Sequence, residues 1–168
     1  MFAQHVGRPT PRPQEVSAIS AQWTLRLRSG SFLGQLATIA VVHVGMGIAV
    51  PLLPLLLLVA VGMFTNLGAQ RHLDHHGQLP PWLLPALLAF DVVHLTALLY
   101  LTGGPMNPFS FMYLVLIALA TVVLPPRATW GLVALSVLGS GVLFVWHRPL
   151  HFHGLGDSDP MRIHLVGM

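Results

Sequence analysis

The sequence has no cysteine, no lysine and very little charge of either sign. Without cysteine, the chain forms no disulfide and has no thiol nucleophile or zinc–thiolate site. Only 8% of its 168 residues are charged, whereas a soluble domain has about a quarter. In contrast, 54% are hydrophobic and the mean hydropathy is +0.73. This balance predicts an integral membrane protein.

Hydrophobic segments long enough to cross a bilayer recur along the chain. A spanning helix needs about 20 mostly apolar residues, and such segments are helical because lipid offers no partner to an open backbone. The runs are apolar on all sides, without the alternation of barrel strands. We therefore predict an all-α polytopic bundle of five complete spans plus the start of a sixth. The predicted spans are about 32–50, 52–69, 82–101, 109–124 and 129–146, with the truncated sixth from about 161.

The distribution of arginine predicts the orientation of this bundle. Residues 1–30 are expected to form a cytoplasmic N-terminal tail, with a surface helix at 15–28, because the apolar run that follows is too long for a secretory signal. With the N-terminus inside, only Arg148 and Arg162 of the eight arginines lie outside, as the positive-inside rule requires. The formal charge of +3 then indicates contact with anionic lipid and no nucleic-acid partner.

Two ionisable residues, Asp91 and His94, lie inside the third predicted span. A charge in the hydrocarbon costs about 2.5–3.5 kcal/mol, so each needs a reason to be there. Three residues apart on one helix face, they can bond each other or join this helix to a neighbour. A proton-linked role is also open. His43 and Asn66, in the first and second spans, are expected to make interhelical hydrogen bonds.

Further histidines lie outside the predicted spans. One group surrounds the last loop and the other is the RHLDHH sequence of residues 71–76; the last-loop histidines are His147, His151, His153 and His164. Imidazole beside carboxylate suits zinc, copper or nickel, but ordinary loop composition explains both groups, and no metal site is predicted. One alternative is a small membrane transporter or metal-handling protein that uses Asp91, His94 and these loops. Another is a structural subunit without a small ligand.

The connection between the third and fourth spans reads LTGGPMNPF, residues 101–109. Helix capping explains most of its residue types. Gly103 and Gly104 end one helix with left-handed backbone, Asn107 caps the next, and Pro108 takes its first position. Capping does not explain why the two glycines are adjacent or why Phe109 follows the proline.

GGPMNPF fits the pattern GGxxNPF that marks the membrane region of redox-responsive sensor histidine kinases of the RegB, PrrB and ActS type. The flanking FDVVHLTALLYLTGG and FSFMYLVLIALATVVLP resemble that family's third and fourth helices, and LRLRSGSFLGQLATIAVVH resembles the entry into its first. The resemblance covers the chain from about Arg26 to Met168. It implies a six-span input region in a bacterial inner membrane, within a homodimer whose kinase core uses ATP and signals to a response regulator.

In that family the motif is implicated in binding ubiquinone. By resemblance, the quinone site therefore comprises Gly103, Gly104, Asn107, Pro108 and Phe109. The glycines would let the backbone approach a flat ring, Asn107 would donate a hydrogen bond to a quinone carbonyl, and Phe109 would stack on the ring. The 168 residues contain no phosphoacceptor segment, ATP-binding domain or redox-active cysteine. No catalytic residue is predicted, and kinase activity is expected only of a longer parent.

Overall fold

The computed structural model describes residues 13–48 and 50–146, and every regular element in that part of the chain is helical. Helix α1 spans Pro13–Ala40 and continues as a π-helical turn at Val41–Gly45. The prediction of an all-α fold is confirmed. The remaining elements are α2 (Leu52–His76), α3 (Leu83–Leu101), 3-10 turns at Gly104–Met106 and Pro108–Phe111, α4 (Met112–Val123) and α5 (Pro126–Val145).

Proline and glycine set several helix ends. Pro51 directly precedes α2, and Pro126 is the first residue of α5, where the missing N–H would have no helical partner. Helix α2 ends at His76, and the next residue, Gly77, has a φ of 71° and donates its N–H to the Leu73 carbonyl at 2.8 Å. A left-handed glycine in this position satisfies an otherwise unpaired carbonyl. These residues make the connections between helices short.

The observed helices match the predicted spans closely at α3 and α5 and differ most at α1. The first helix begins at Pro13 instead of residue 32, so that the expected surface helix and the start of the first span form one continuous helix. Helix α2 runs on to His76. The fourth segment starts as a 3-10 turn at Pro108–Phe111 and becomes α-helical only at Met112.

Three of the described helices, α2, α3 and α5, are long and apolar enough to cross a membrane. A shorter apolar stretch, Pro108–Val123, lies between them. Helix α1 carries Arg26 and Arg28 and is not among the three. The chain is therefore multi-pass, while the count of five complete spans stays a prediction. The expected start of the sixth span lies outside the described residues.

Two groups of buried side chains hold the helices together. Helix α1 packs against α2, α2 against α3, and α3 against both α4 and α5. The larger core joins α3, α4 and α5; its residues include Leu88, Val92, Leu99, Tyr113, Ala120, Leu132 and Leu143. The smaller one joins α1, α2 and α3 through Leu25, Ala69 and Leu87. Outer faces expose large apolar side chains such as Phe64 and Trp130, as helices in hydrocarbon do.

Candidate functional site

The GGPMNPF segment, residues 103–109, turns on two left-handed glycines. Gly103 and Gly104 have φ values of 103° and 64°, which a residue with a side chain adopts only with strain. Gly104 is buried, and the 3-10 turn that it begins packs against α5. The left-handed backbone expected of these glycines is present at both positions, which explains why two adjacent residues are glycine.

The side chain of Asn107 bonds both its own segment and the end of α3. Its Oδ1 accepts a hydrogen bond from the Phe109 N–H at 2.9 Å, capping the 3-10 turn. Its Nδ2 donates to the Thr102 carbonyl at 2.9 Å and to Thr102 Oγ1 at 2.8 Å. A primary amide has two N–H donors, so neither remains for a ligand in this conformation. The predicted capping role is present, at the 3-10 turn instead of at α4 itself.

The two residues after Asn107 lie at the surface. Pro108 is exposed, and Phe109 is 41% exposed. The ring of Phe109 thus has free surface for the stacking contact that the resemblance implies, and that contact stays a prediction.

The start of α4 is tied to α3 just beneath this segment. The hydroxyl of Tyr113 is 2.7 Å from Thr96 Oγ1, which itself donates to the Val92 carbonyl at 2.7 Å. Gly139 of α5 faces the same point, since a Cβ added there would lie 2.6 Å from Thr96 Oγ1. The three helices therefore meet closely below the GGPMNPF segment.

A polar cluster joins α1 to the rest of the bundle at mid-length. Arg28 forms a two-pronged ion pair with Asp91: Nε donates to Oδ2 and Nη2 to Oδ1, each at 2.7 Å. The side chains of Arg28 and Asp91 are only 3% and 12% exposed. Paired guanidinium and carboxylate forks bond at short range with fixed geometry. The charge of Asp91 inside the predicted third span is thus balanced by a residue of α1.

Asn66 of α2 completes this cluster. Its Oδ1 accepts from Arg28 Nη1 at 3.1 Å, while its Nδ2 donates to the Leu25 carbonyl at 3.1 Å and to Ser29 Oγ at 2.8 Å. Gln70 Nε2 donates to the same Ser29 oxygen at 3.0 Å. Asn66 makes the interhelical hydrogen bonds that its sequence position predicted.

His94 also contacts α1. Its Nε2 is 3.2 Å from Gln35 Oε1, and its ring packs edge-on against Phe32 with 5.8 Å between ring centroids. Among the described side chains, Asp91 and His94 each bond α1 and not each other, so of the arrangements open from the sequence the structure adopts the interhelical one. Gly62 of α2 allows the close approach, since an added Cβ would lie 2.4 Å from Phe32 Cε1.

Sequence reasoning missed the α1 side of this cluster, because Arg28 was placed in an aqueous tail. A signal was available in the helical spacing of the buried residues of α1. The buried residues described in α1 lie three, one, three and four positions apart: Ala21, Thr24, Leu25, Arg28 and Phe32. Such spacing marks one face of a helix, and an arginine on that face calls for an acid such as Asp91.

A groove separates α2 from α3 above the polar cluster. Its volume is about 440 Å³, and Leu101 at one end lies two residues before Gly103. A second groove, of about 410 Å³, lies between α3 and α5 and is lined partly by Thr96 and Gly139. Both grooves open laterally, towards the outer faces of the helices. They therefore suit a lipid-soluble ligand.

The histidines in the described part of the chain are not grouped with other metal-binding side chains. His72 and His76, one helical turn apart, stack with 4.2 Å between ring centroids. Within residues 13–48 and 50–146, no three His, Asp or Glu side chains group to hold a metal. His43 lies in the π-helical turn, and its Nδ1 has no hydrogen-bond partner there. The histidines of the last loop lie outside the described residues.

Long apolar helices, ionisable groups paired between them and apolar outer faces define a multi-pass helical membrane domain. A family model described as a PilS-like transmembrane domain matches residues 45–161. The sensor histidine kinase RegB of Cereibacter sphaeroides is 31% identical over 134 residues, which are 76% of this chain and 29% of that protein. No solved structure matches the chain.

The chain belongs to the family of PilS-like transmembrane domains. The expected likeness to sensor kinases of the RegB type is confirmed, and it supports a membrane sensing region of a histidine kinase. The chain spans less than a third of the length of that relative.

Proposed function

We propose that this chain is the redox-sensing input region of a two-component sensor histidine kinase and that it binds ubiquinone beside the GGPMNPF segment. The bound quinone adjusts the autophosphorylation of a cytoplasmic kinase core by favouring one packing of the helices over another. The proposal places the domain in a bacterial inner membrane with its N-terminus in the cytoplasm. ATP and a response regulator are partners of the kinase core, within a homodimer.

The observation that carries this proposal is the joint position of the motif and the lateral grooves in a chain related to RegB. Gly103 and Gly104 hold a tight backbone turn, Phe109 presents part of its ring, and the groove between α2 and α3 ends two residues before the motif. A quinone approaching through lipid would meet all of these at one end of the bundle.

The alternative of a transporter or metal-handling protein gains no specific support from the described residues. Asp91, which that hypothesis needs as a free carboxylate, is held by both prongs of Arg28. We therefore do not pursue it as a second function.

The proposed contact of Phe109 is testable by equilibrium binding of short-chain ubiquinone to the purified chain in lipid nanodiscs. Phe109→Ala should weaken binding up to about tenfold, because it removes an aromatic side chain from the proposed contact surface, and burying such a side chain contributes about 1.5–3 kcal/mol. Phe111→Ala is the matched control, since Phe111 is an exposed phenylalanine of the same turn outside the motif. Equal affinities of the two variants would remove Phe109 from the site.

A further inference from the structure

The groove between α2 and α3 has one polar side chain in an otherwise apolar lining. From α2 it is lined by residues that include Leu57 and Val61, and from α3 by residues that include Phe90, His94 and Leu101. Every lining side chain except His94 is apolar. Its volume of about 440 Å³ falls within the usual range of small-molecule sites, roughly 300–1,000 Å³. A ligand in this groove would have a single side chain to recognise a polar group.

His94 has one ring nitrogen engaged and one without a partner. The residue is 4% exposed, and its Nδ1 has no hydrogen-bond partner among the described residues. Its Nε2 contacts Oε1 of Gln35, an oxygen that can only accept, so Nε2 carries the proton in that bond. In a neutral imidazole the other nitrogen is then an acceptor. His94 therefore has an unpartnered acceptor that is buried at the lining of the groove, and no other lining side chain is polar.

Building on the proposed function, we infer that this groove is where the ring of the quinone binds and that His94 selects the reduced form. The hydroxyl of a quinol donates a hydrogen bond to Nδ1 of His94, whereas the carbonyl of the oxidised quinone has no proton to give. Phe90, which lines the groove 5.7 Å from the His94 ring, centroid to centroid, moves aside to admit the ring.

The engagement of Asn107 supports this location. Both N–H groups of Asn107 already bond Thr102, so the motif amide has no donor left for the ring oxygen. Leu101, which lines the groove, comes two residues before Gly103, and His94 lies seven residues earlier on the same helix, about 10 Å along the axis. In this arrangement the motif lies at the mouth of the site, where Phe109 contacts the ligand outside its ring, and the ring binds in the groove.

A ligand at this location would also contact a residue that is bonded to α1. His94 bonds Gln35 of α1, and it lies one helical turn from Asp91, which holds Arg28. A hydrogen bond at Nδ1 therefore acts on a side chain that already ties α3 to α1. Reduced and oxidised quinone would therefore differ in their effect on the contact between His94 and Gln35.

The inference is tested by titrating the chain in lipid nanodiscs with short-chain ubiquinol under reductant and, separately, with the matching ubiquinone. The wild type should bind the quinol up to about tenfold more tightly, the ratio that one neutral hydrogen bond supports. His94→Leu should bring this ratio to about one. A ratio of one in the wild type, or an unchanged ratio in a folded His94→Leu variant, would overturn the inference.

A second variant keeps the test decisive if His94→Leu does not fold. Val61 lines the groove with half of its surface exposed, so Val61→Trp fills the groove without entering the core and should weaken both forms at least tenfold. Val115→Trp, at an exposed valine of α4 outside the groove lining, should leave both affinities unchanged. Unchanged binding to Val61→Trp, together with loss of binding in Phe109→Ala, would contradict this location yet leave the proposed function standing. If the wild type binds neither form, both fail.

Discussion

The two parts of the bundle are held together by different chemistry. Helices α3, α4 and α5 share a continuous apolar core, with a tight contact at Gly139. Helix α1 packs closely on α2, and a smaller apolar group together with a buried polar network around Arg28, Asp91 and Asn66 joins it to α2 and α3. Between helices in lipid, apolar burial supplies no hydrophobic driving force, so association depends on close packing and hydrogen bonds. Apolar packing thus holds the three-helix core, whereas the position of α1 relative to α3 depends on buried polar bonds as well as on packing against α2.

The position of α1 relative to α3 is the feature that a ligand at His94 would affect. The bonds between α1 and α3 involve a few polar side chains, so a change at one of them can alter the position of α1 relative to α3, whereas a packed core resists local change. His94 and Asp91 lie on α3, where the two parts meet. We therefore expect α1 to be the element whose position responds to the ligand, and the following variants test the contrast in order of expected effect.

Removing the carboxylate of the buried ion pair should give the largest loss of stability. Asp91→Leu leaves Arg28 buried without its partner, and we expect the free energy of unfolding in mixed micelles to fall by about 3–5 kcal/mol. The double variant Arg28→Leu with Asp91→Leu should recover most of that loss, because no unpaired charge remains. A double variant no more stable than Asp91→Leu alone would contradict the ion pair as the contact that places α1.

Adding one methyl group at Gly62 should have the next largest effect. The new Cβ would lie 2.4 Å from Phe32 Cε1 and 3.1 Å from His94 Cε1, so Gly62→Ala should destabilise by about 1–3 kcal/mol. Gly68→Ala in the same helix is the control, since its Cβ meets nothing within 4 Å, and it should gain up to about 1 kcal/mol. Thermal unfolding of the two variants gives the comparison, and equal stabilities would refute the close α1–α2 approach.

Loss of the cap at Asn107 should cost about 1 kcal/mol. Asn107→Ala removes the acceptor for Phe109 N–H and both donors to Thr102. Asn107→Asp keeps the acceptor and should retain part of the stability. Hydrogen exchange of the Phe109 amide reports the cap directly: it should quicken in Asn107→Ala and much less in Asn107→Asp. The same exchange rate in both would show that the cap does not hold this turn.

The smallest effect is expected inside the three-helix core. Tyr113→Phe removes the hydroxyl bonded to Thr96, a loss of about 0.6 kcal/mol by the average for hydrogen bonds between membrane helices. Tyr100→Phe is the control, because the Tyr100 hydroxyl bonds no described residue. Chemical unfolding of the two variants should differ by that amount. A loss as large as that of Asp91→Leu would erase the contrast between the two parts.

The sequence predicted the helices that are apolar and bounded by proline or glycine. Helices α3 and α5 lie close to their predicted bounds for that reason. Helix α1 extends far beyond its predicted span because a hydropathy scale scores Arg28 as unfavourable in lipid and takes no account of a bonding partner. Once Asp91 and Asn66 bond that guanidinium, the penalty is largely offset. Pairing across 63 positions of sequence is a property of the fold.

At the candidate site, the sequence predicted the backbone conformation and the cap better than it predicted which side-chain donors and acceptors are free to bond a ligand. Local backbone rules anticipated the left-handed glycines and the cap at Asn107. They did not anticipate that Thr102 would take both amide protons of Asn107, because that depends on where the end of α3 lies. The groove and the unpartnered nitrogen of His94 likewise depend on the packing of α2 against α3.

The most direct test of the account is whether the purified chain binds ubiquinone at all. Short-chain ubiquinone is titrated into nanodiscs that contain the wild-type chain and, in parallel, into nanodiscs of the same lipid without protein. We expect saturable binding, above partition into lipid, with about one site per chain. Identical titration curves for the two kinds of nanodisc would contradict it.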